Sequence, residues 1–235
     1  MTSEMAKALD DMRNGRIVLI FDSDNRERET DMVVASEMVT PVIIRTMRKD
    51  AGGLICVTVH DDIRERIETP YLADVFSRVA ENYPILSKLI PNDIPYDSKS
   101  AFSITINHRK TFTGITDKDR ALTITEFAKL ARASLDQDNG WAKDEFGRQF
   151  RAPGHVHLLN ARKELLTSRI GHTELATAMT VMSGLTPTAT ICEMMGDDGN
   201  SLPKEEAREY AIRHDLCYVE GDEIVRAWRN GGWFR

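Results

Sequence analysis

A compact apolar run that empties directly into a charged loop sets the frame for this chain: Ile17-Val18-Leu19-Ile20-Phe21, followed by DSDNRERETD over residues 22–31. The run is too short for a helix, rich in β-branched residues and bounded by Gly15 and Asp22, which predicts a buried strand. In an extended segment alternate side chains share a side, so Glu27, Glu29 and Asp31 are expected to face one way and Arg26 and Arg28 the other. A hard divalent cation takes carboxylates plus water, and a phosphate takes arginine, so such a loop can hold both close together. The competing reading is a solvated, charge-balanced loop of little energetic weight. Its place at the end of a buried strand, where α/β sheets put their ligands, favours the functional one.

Composition narrows the class. The 235 residues are 41% hydrophobic and 29% charged, ordinary for a folded globular chain of one large or two small domains. A net charge of -6 argues against a nucleic-acid partner. Cys56, Cys192 and Cys217 are widely spread and form no CxxC pair, so neither a disulfide framework nor a zinc knuckle is expected, and a reducing cytoplasm is the simplest location. The N-terminal residues carry acids and no apolar core, unlike a signal peptide, and no stretch approaches the roughly 20 apolar residues of a membrane span.

Met5, Leu9 and Met12 fall at helical spacing ahead of Gly15, so residues 3–14 read as an amphipathic helix. Met32 to Ala35 read as a second strand, and Thr40-Pro41 as the N-cap and first-turn proline of a helix stopping at Gly52-Gly53. Leu54 to Val59 is another buried strand. Cys56 lies inside it, where a thiol is more often a small core residue than a nucleophile. Residues 61–90 look helical and polar, and residues 91–97 form a surface loop whose Tyr96 belongs to a lid or a plain connection. Phe102 to Asn107 alternates as a strand and leads to Thr113-Gly114, a hydroxyl beside an approachable backbone. Thr123 and Glu126 have capping-box spacing for a short helix that SLDQDNG, residues 134–140, brings to an end.

In RAPGHVHLL, residues 151–159, Pro153-Gly154 predicts a tight turn after which His155 opens an alternating strand, with His157 on the same face. In RIGHTE, residues 169–174, Gly171 interrupts the chain just before a helical run from Thr173 to Ser183. His172 and Thr173, with Arg169 behind them, then form a corner suited to an anion or a metal. Glu193 stands near the carboxyl end of the strand Thr188–Met194, where a carboxylate is costly unless it is paired or working. Pro203 opens a charged helix to about His214, and a short strand and helix follow.

Taken together and in this order, RERETDM, TGITDKDRA, RAPGHVHLL, RIGHTE and ICEMMGDDG resemble the 3,4-dihydroxy-2-butanone 4-phosphate synthase family of riboflavin biosynthesis. The resemblance implies a carbon–carbon lyase that converts D-ribulose 5-phosphate to L-3,4-dihydroxy-2-butanone 4-phosphate and formate with Mg2+ or Mn2+. It places Glu27 and His172 on the metal. Arg26, Glu27, Asp31, Tyr96, Thr113, Arg169, Gly171, His172, Thr173 and Glu193 fall on substrate, with Thr113 on its phosphate. It puts His155 and Glu193 at positions essential to catalysis, with Asp31 as a further proton carrier, and Asp22, Cys56 and Tyr96 near the site. Cys56 is carried as a candidate catalytic residue on that basis. It also implies a homodimer with its pocket near the interface. Two departures stand out: Arg28 occupies a position where glycine or asparagine is frequent, and Leu158 stands where a proline often follows the RPGHV signature. The GTP cyclohydrolase II often fused behind this enzyme is not expected here.

The implied reaction begins by removing a proton beside a ketone, which asks for a cation to stabilise the enediolate. Mixed carboxylate and imidazole ligation suits manganese as well as magnesium. Later steps need groups that take and give protons, a task suited to histidine or to a carboxyl whose burial raises its pKa. The acidic loop and the Tyr96 loop are candidate lids over a reactive intermediate. The expected architecture is a single α/β (α+β) domain over residues 1–235: a mixed sheet covered by helices in an α-β-α arrangement, with the site at strand ends and no nucleic-acid or membrane partner. Two rivals remain: a haloacid-dehalogenase-type phosphatase with Asp22 as nucleophile, and a non-catalytic sugar-phosphate sensor. An EF-hand starting at Asp22 fails, because Glu27 takes its glycine position and Val33 its terminal glutamate.

Overall fold

In the computed structural model of the chain, which describes residues 2–97, 99–231 and 233, a mixed seven-stranded sheet lies between two helical layers. The elements run α1 Ser3–Arg13, β1 Val18–Phe21, β2 Thr30–Ala35, α2 Pro41–Thr46, β3 Cys56–Val59, α3 Asp61–Ile67, α4 Leu72–Val79 and β4 Phe102–His108. They continue with α5 Asp117–Ser134, α6 Asn139–Gln149, β5 Phe150–Asn160, α7 His172–Met182, β6 Ala189–Glu193, α8 Lys204–Arg213, β7 Cys217–Glu220 and α9 Gly221–Gly231. Strand order is β4-β5-β3-β6-β2-β1-β7. The pairs β3–β5 and β1–β7 are parallel and the other neighbours antiparallel.

Alternation along the strands builds two cores. Leu19, Met32, Val34, Val57 and Cys192 face one side with Ile124 and Phe127 of α5, while Val18, Ile20, Val33 and Ile191 face the other with Leu175 and Met179 of α7. The layered α-β-α architecture expected from the sequence is therefore present. Helix α7 is buried nearly all round, as a helix in the middle of a core must be. Its first residues, His172, Thr173 and Glu174, are consequently carried into the interior although all three are polar.

Local signals act as read at several points. Thr2 caps α1 and Gly15 closes it with φ +71, Thr40 caps α2 ahead of Pro41, and Gly52 ends the following turn at φ +89. Elsewhere tertiary contacts override them. β2 begins at Thr30, two residues early, because it pairs along β1 as a hairpin. Residues 61–90 are broken into α3, α4 and a 3-10 turn at Pro84–Lys88. Thr123 caps nothing: α5 starts at Asp117 with Thr116 accepting from Asp119 N at 3.1 Å, and Thr123 Oγ1 accepts from His108 N at 3.0 Å. The polar stretch after Ser134 does not only stop α5. Asp138 within it accepts from Trp141 N at 2.9 Å and starts α6.

Pro153-Gly154 is not a turn but the middle of β5, behind a cis Ala152–Pro153 peptide. Here one step on β4, from Ile106 to Asn107, is matched by Val156 to Arg151 on β5, so residues 152–155 bulge out of register. Beyond the bulge the alternation resumes, with Val156 and Leu158 buried on the core side and His155 and His157 less buried. A Cβ on Gly154 would sit 2.0 Å from Ile106 C and 2.3 Å from Asn107 N, both backbone atoms of a paired strand. Gly154→Ala is expected to cost about 3 kcal/mol or more, read as a lower urea midpoint at unchanged slope.

Candidate active site

The loop from Asp22 to Glu29 does not run extended; it folds over its own first carboxylate. Asp22 is 2% exposed, accepting from Glu27 N at 2.9 Å with Oδ2 and from Glu29 N at 3.1 Å with Oδ1. That fold overturns the expected alternation. Arg26 turns inward with Glu27, its Nη1 2.6 Å from Glu27 Oε2 and 3.4 Å from Asp22 Oδ2. Arg28 takes φ +61 and sends its Nε outward to Asp24 O at 2.6 Å. A left-handed backbone at this position explains why glycine and asparagine suit it. The same bonds commit both Asp22 oxygens to the backbone, so Asp22 is a loop anchor and not a free nucleophile.

Opposite the loop, α7 begins at His172 with Gly171 as an N-cap that offers no side-chain acceptor. A Cβ on Gly171 would lie 2.4 Å from Arg169 Nη1 and 2.9 Å from Arg26 Nη2, so glycine is what lets two guanidinium groups close over the helix start. His172 is 6% exposed. Its Nδ1 lies 3.1 Å from Glu27 Oε2, and its Nε2 3.2 Å from Glu29 O and 3.7 Å from Asp31 Oδ1. Ligand atoms of Asp22, Glu27 and His172 come within 4.8 Å of one another. With Asp22 occupied by amides, Glu27 and His172 form a carboxylate–imidazole pair that fits a divalent cation completed by water or a bound sugar.

The electrostatics of the cluster are uneven. Burial disfavours an ionised Glu27, but the hydrogen bond from His172 and the charge of Arg26 outweigh it and hold Glu27 down to about 2. Burial pushes Asp31 up to about 8, with the Glu193, Glu27 and Glu29 charges adding to it against the pull of His172. Burial alone would lower His172, yet Asp31 and Glu27 raise it to about 9. Near neutral pH Glu27 is therefore the ionised carboxylate, while Asp31 and His172 titrate as one coupled pair, in which burial favours a proton on Asp31 and the surrounding carboxylates favour one on His172.

Asp31 pairs with Glu193 across β2–β6, so both side chains leave the sheet on one face. Glu193 Oε2 accepts from Leu54 N at 2.7 Å, and a Cβ on Gly53 would meet that oxygen at 2.5 Å, which fixes the carboxylate where the glycine pair passes. Cys56, opposite Ile191, lies on the same face, and its thiol is raised well above the usual range by burial and by Glu193 and Asp31. It lines the site as a neutral thiol, which is contrary to a nucleophilic role. Arg169 bonds Asp97 and the fully buried Glu174, and Arg26 packs on Tyr96 with its guanidinium carbon 5.2 Å from the ring centroid. Neither Asp97 nor Glu174 stands out in the sequence. The signal for both is opposite charge: Arg169 shares its motif with Glu174 and needs a buried counter-charge.

One cavity of about 580 Å3 gathers Arg26, Glu27, Asp31, Cys56, Tyr96, Arg169, His172, Thr173 and Glu193, with Gly171 beneath the arginines. His155 and Thr113 do not line it. Both are exposed at the β4–β5 edge of the sheet, beside Phe112, which is 94% exposed. His157, opposite Cys56 in the sheet, packs edge-on against Phe102 of the cavity wall, at 6.1 Å between ring centroids. A second hollow, about 570 Å3 between α8, β7 and α9, mixes charges but brings no histidine to its walls among the described residues.

The family model for 3,4-dihydroxy-2-butanone 4-phosphate synthase matches residues 6–227. The chain belongs to this family. A 3,4-dihydroxy-2-butanone 4-phosphate synthase of Methanothermobacter thermautotrophicus is 52% identical, over 97% of this chain and 96% of its own. The synthase of Methanosarcina mazei is 43% identical, over 94% and 90%. A crystal structure of a 3,4-dihydroxy-2-butanone 4-phosphate synthase in complex with two magnesium ions shares the fold, with a TM-score of 0.73 at 21% identity, covering 98% of this chain and 99% of that one. The enzyme class is thus that of the synthase family, and the five sequence signatures lie within the matched region.

Proposed function

We propose that this synthase-family enzyme converts D-ribulose 5-phosphate to L-3,4-dihydroxy-2-butanone 4-phosphate and formate, with Mg2+ or Mn2+ held by Glu27 and His172. The observation that carries this is the meeting of Glu27 and His172 at 3.1 Å, beside the buried carboxyl of Asp31 and under two arginines, in one cavity. Two buried polar atoms there, Arg26 Nη2 and Asp31 Oδ1, have no hydrogen-bond partner among the described residues, as expected of groups that meet substrate. A magnesium complex in a structure of the same fold supports the cation.

When bound, the cation supplies Lewis-acid stabilisation of negative charge developing on the sugar oxygens. Arg26, Arg169 and the uncapped start of α7 present positive charge and backbone amides to the phosphate. The coupled Asp31 and His172 pair has a proton to give, and Glu193, an acceptor at the cavity wall, has the complementary capacity to take one. No outside oxidant is needed: the product keeps the methyl end and the phosphate-bearing end, so the skeleton migrates, an internal carbon is excised, and the water lost in dehydration is regained when that carbon leaves as formate. We further propose a cytoplasmic homodimer of one-domain subunits, in which His155 and Thr113 of each copy complete the cavity of the other.

Formate release from ribulose 5-phosphate with added Mg2+ tests the reaction, and a chelator is expected to stop it until metal is restored. Full activity in chelator, or no formate at any metal concentration, contradicts it. The cation must also displace the proton that Asp31 and Glu27 hold on His172. Metal affinity should accordingly rise with pH up to about 9, by about tenfold per unit in the limit of one proton released. Calorimetric titration in buffers of different ionisation enthalpy measures that proton.

A further inference from the structure

Asn107 stands on β4, only 3% exposed, and reaches across the bulge of β5 to His155. Its Oδ1 accepts from His155 N at 2.9 Å, and its Nδ2 donates to Thr113 O at 3.4 Å. A backbone N–H can only donate and a carbonyl can only accept, so these two contacts fix which end of the amide is which. The reverse orientation would set donor against donor and acceptor against acceptor. Gly114 leaves the room for this amide: it has φ +95, and a Cβ there would lie 2.1 Å from Asn107 Nδ2. With the amide fixed, its Nδ2 faces His155 Nδ1 at 3.1 Å. An amide nitrogen has no lone pair to offer, so Nδ1 must be the acceptor.

We propose that Asn107 is a positioning residue that holds neutral His155 in the tautomer protonated on Nε2, so that His155 meets substrate as an Nε2–H donor. This rests on the reading above that His155 takes part in the reaction. In this tautomer the neutral imidazole gives a hydrogen bond or a proton at Nε2 and cannot take one there. Proton abstraction then falls to a carboxylate of the cavity wall, where Glu29, Asp31 and Glu193 stand beside Glu27. The same amide ties down the Thr113 carbonyl, so one buried side chain sets the geometry of both residues that the exposed edge presents.

The test is a long-range 1H–15N correlation spectrum of protein carrying 15N-histidine, recorded at alkaline pH. His155 is assigned by the signals lost in His155→Gln. A pattern with the proton on Nε2 is the expected result; a proton on Nδ1, or averaging between tautomers, overturns the proposal. Asn107→Asp replaces the N–H with an oxygen that only accepts. It should reverse the pattern to Nδ1–H and lower kcat for formate release by on the order of 10- to 100-fold, with KM for ribulose 5-phosphate nearly unchanged. An unreversed pattern in that variant also overturns it. The wild-type spectrum needs no substitution and stands if Asn107→Asp fails to fold. Wild-type protein with the Nε2–H pattern that releases no formate would end the proposed reaction and leave the tautomer assignment intact.

Discussion

Glu27→Gln is expected to abolish formate release, with kcat down on the order of 1000-fold, while the fold is kept. Glutamine preserves the shape of the side chain and removes the charge that both Arg26 Nη1, 2.6 Å away, and His172 Nδ1, 3.1 Å away, answer. It takes out one of two protein ligands and leaves a cation to an imidazole alone. Stability should change in a defined direction. Glu27 is held at about 2 against an ordinary value of 4.5, so its stabilisation is present above the unfolded value and lost as pH falls from there through about 2. The wild-type advantage over the glutamine variant should accordingly shrink on acidification through that window. Metal titration and a formate assay on folded Glu27→Gln decide the matter. A variant that still binds metal at wild-type affinity and turns over normally leaves no place for Glu27 as a ligand.

Two inactive variants should rescue each other. His155 and Thr113 are absent from the walls of the cavity that holds Glu27 and His172, and lie exposed at the sheet edge. If a second copy supplies them, His155→Gln and Glu27→Gln damage different halves of each site. In a mixed dimer one site then carries both lesions and the other none. Co-expression of the two, each inactive alone, is expected to recover about one quarter of wild-type activity, since half the dimers are mixed and each has one intact site. Recovery near zero, with mixed dimers demonstrated by differential tags, would mean that His155 works within its own subunit or not at all.

The candidate site was partly legible before the fold was known. Two short motifs far apart in the chain, RERETD and RIGHTE, carry residue types that only a cation and an anion need together, and the structure brings them to one cavity. What alternation got wrong was orientation: Asp22 folds the loop onto itself, so Arg26 joins Glu27 instead of opposing it. Asp97 and Glu174 went unnoticed because a buried counter-charge is visible only once the arginine it serves has a place. Asn107 read as the polar end of a strand, with nothing to mark what lay across from it.

Taken alone, the order of residues determined the local elements and the chemistry available. Apolar alternation, caps and glycines are short-range effects written into neighbouring positions, and the five signatures name the family that the profile match then established. Only the tertiary structure decided protonation and reach. Whether Asp31 keeps its proton depends on burial and on Glu193, 162 positions away in sequence but opposite it in the sheet. That His155 lies outside the cavity wall of its own chain follows from where the paired β4–β5 edge stands in the sheet. Desolvation and strand register are properties of the packed molecule, and no local window of the sequence contains them.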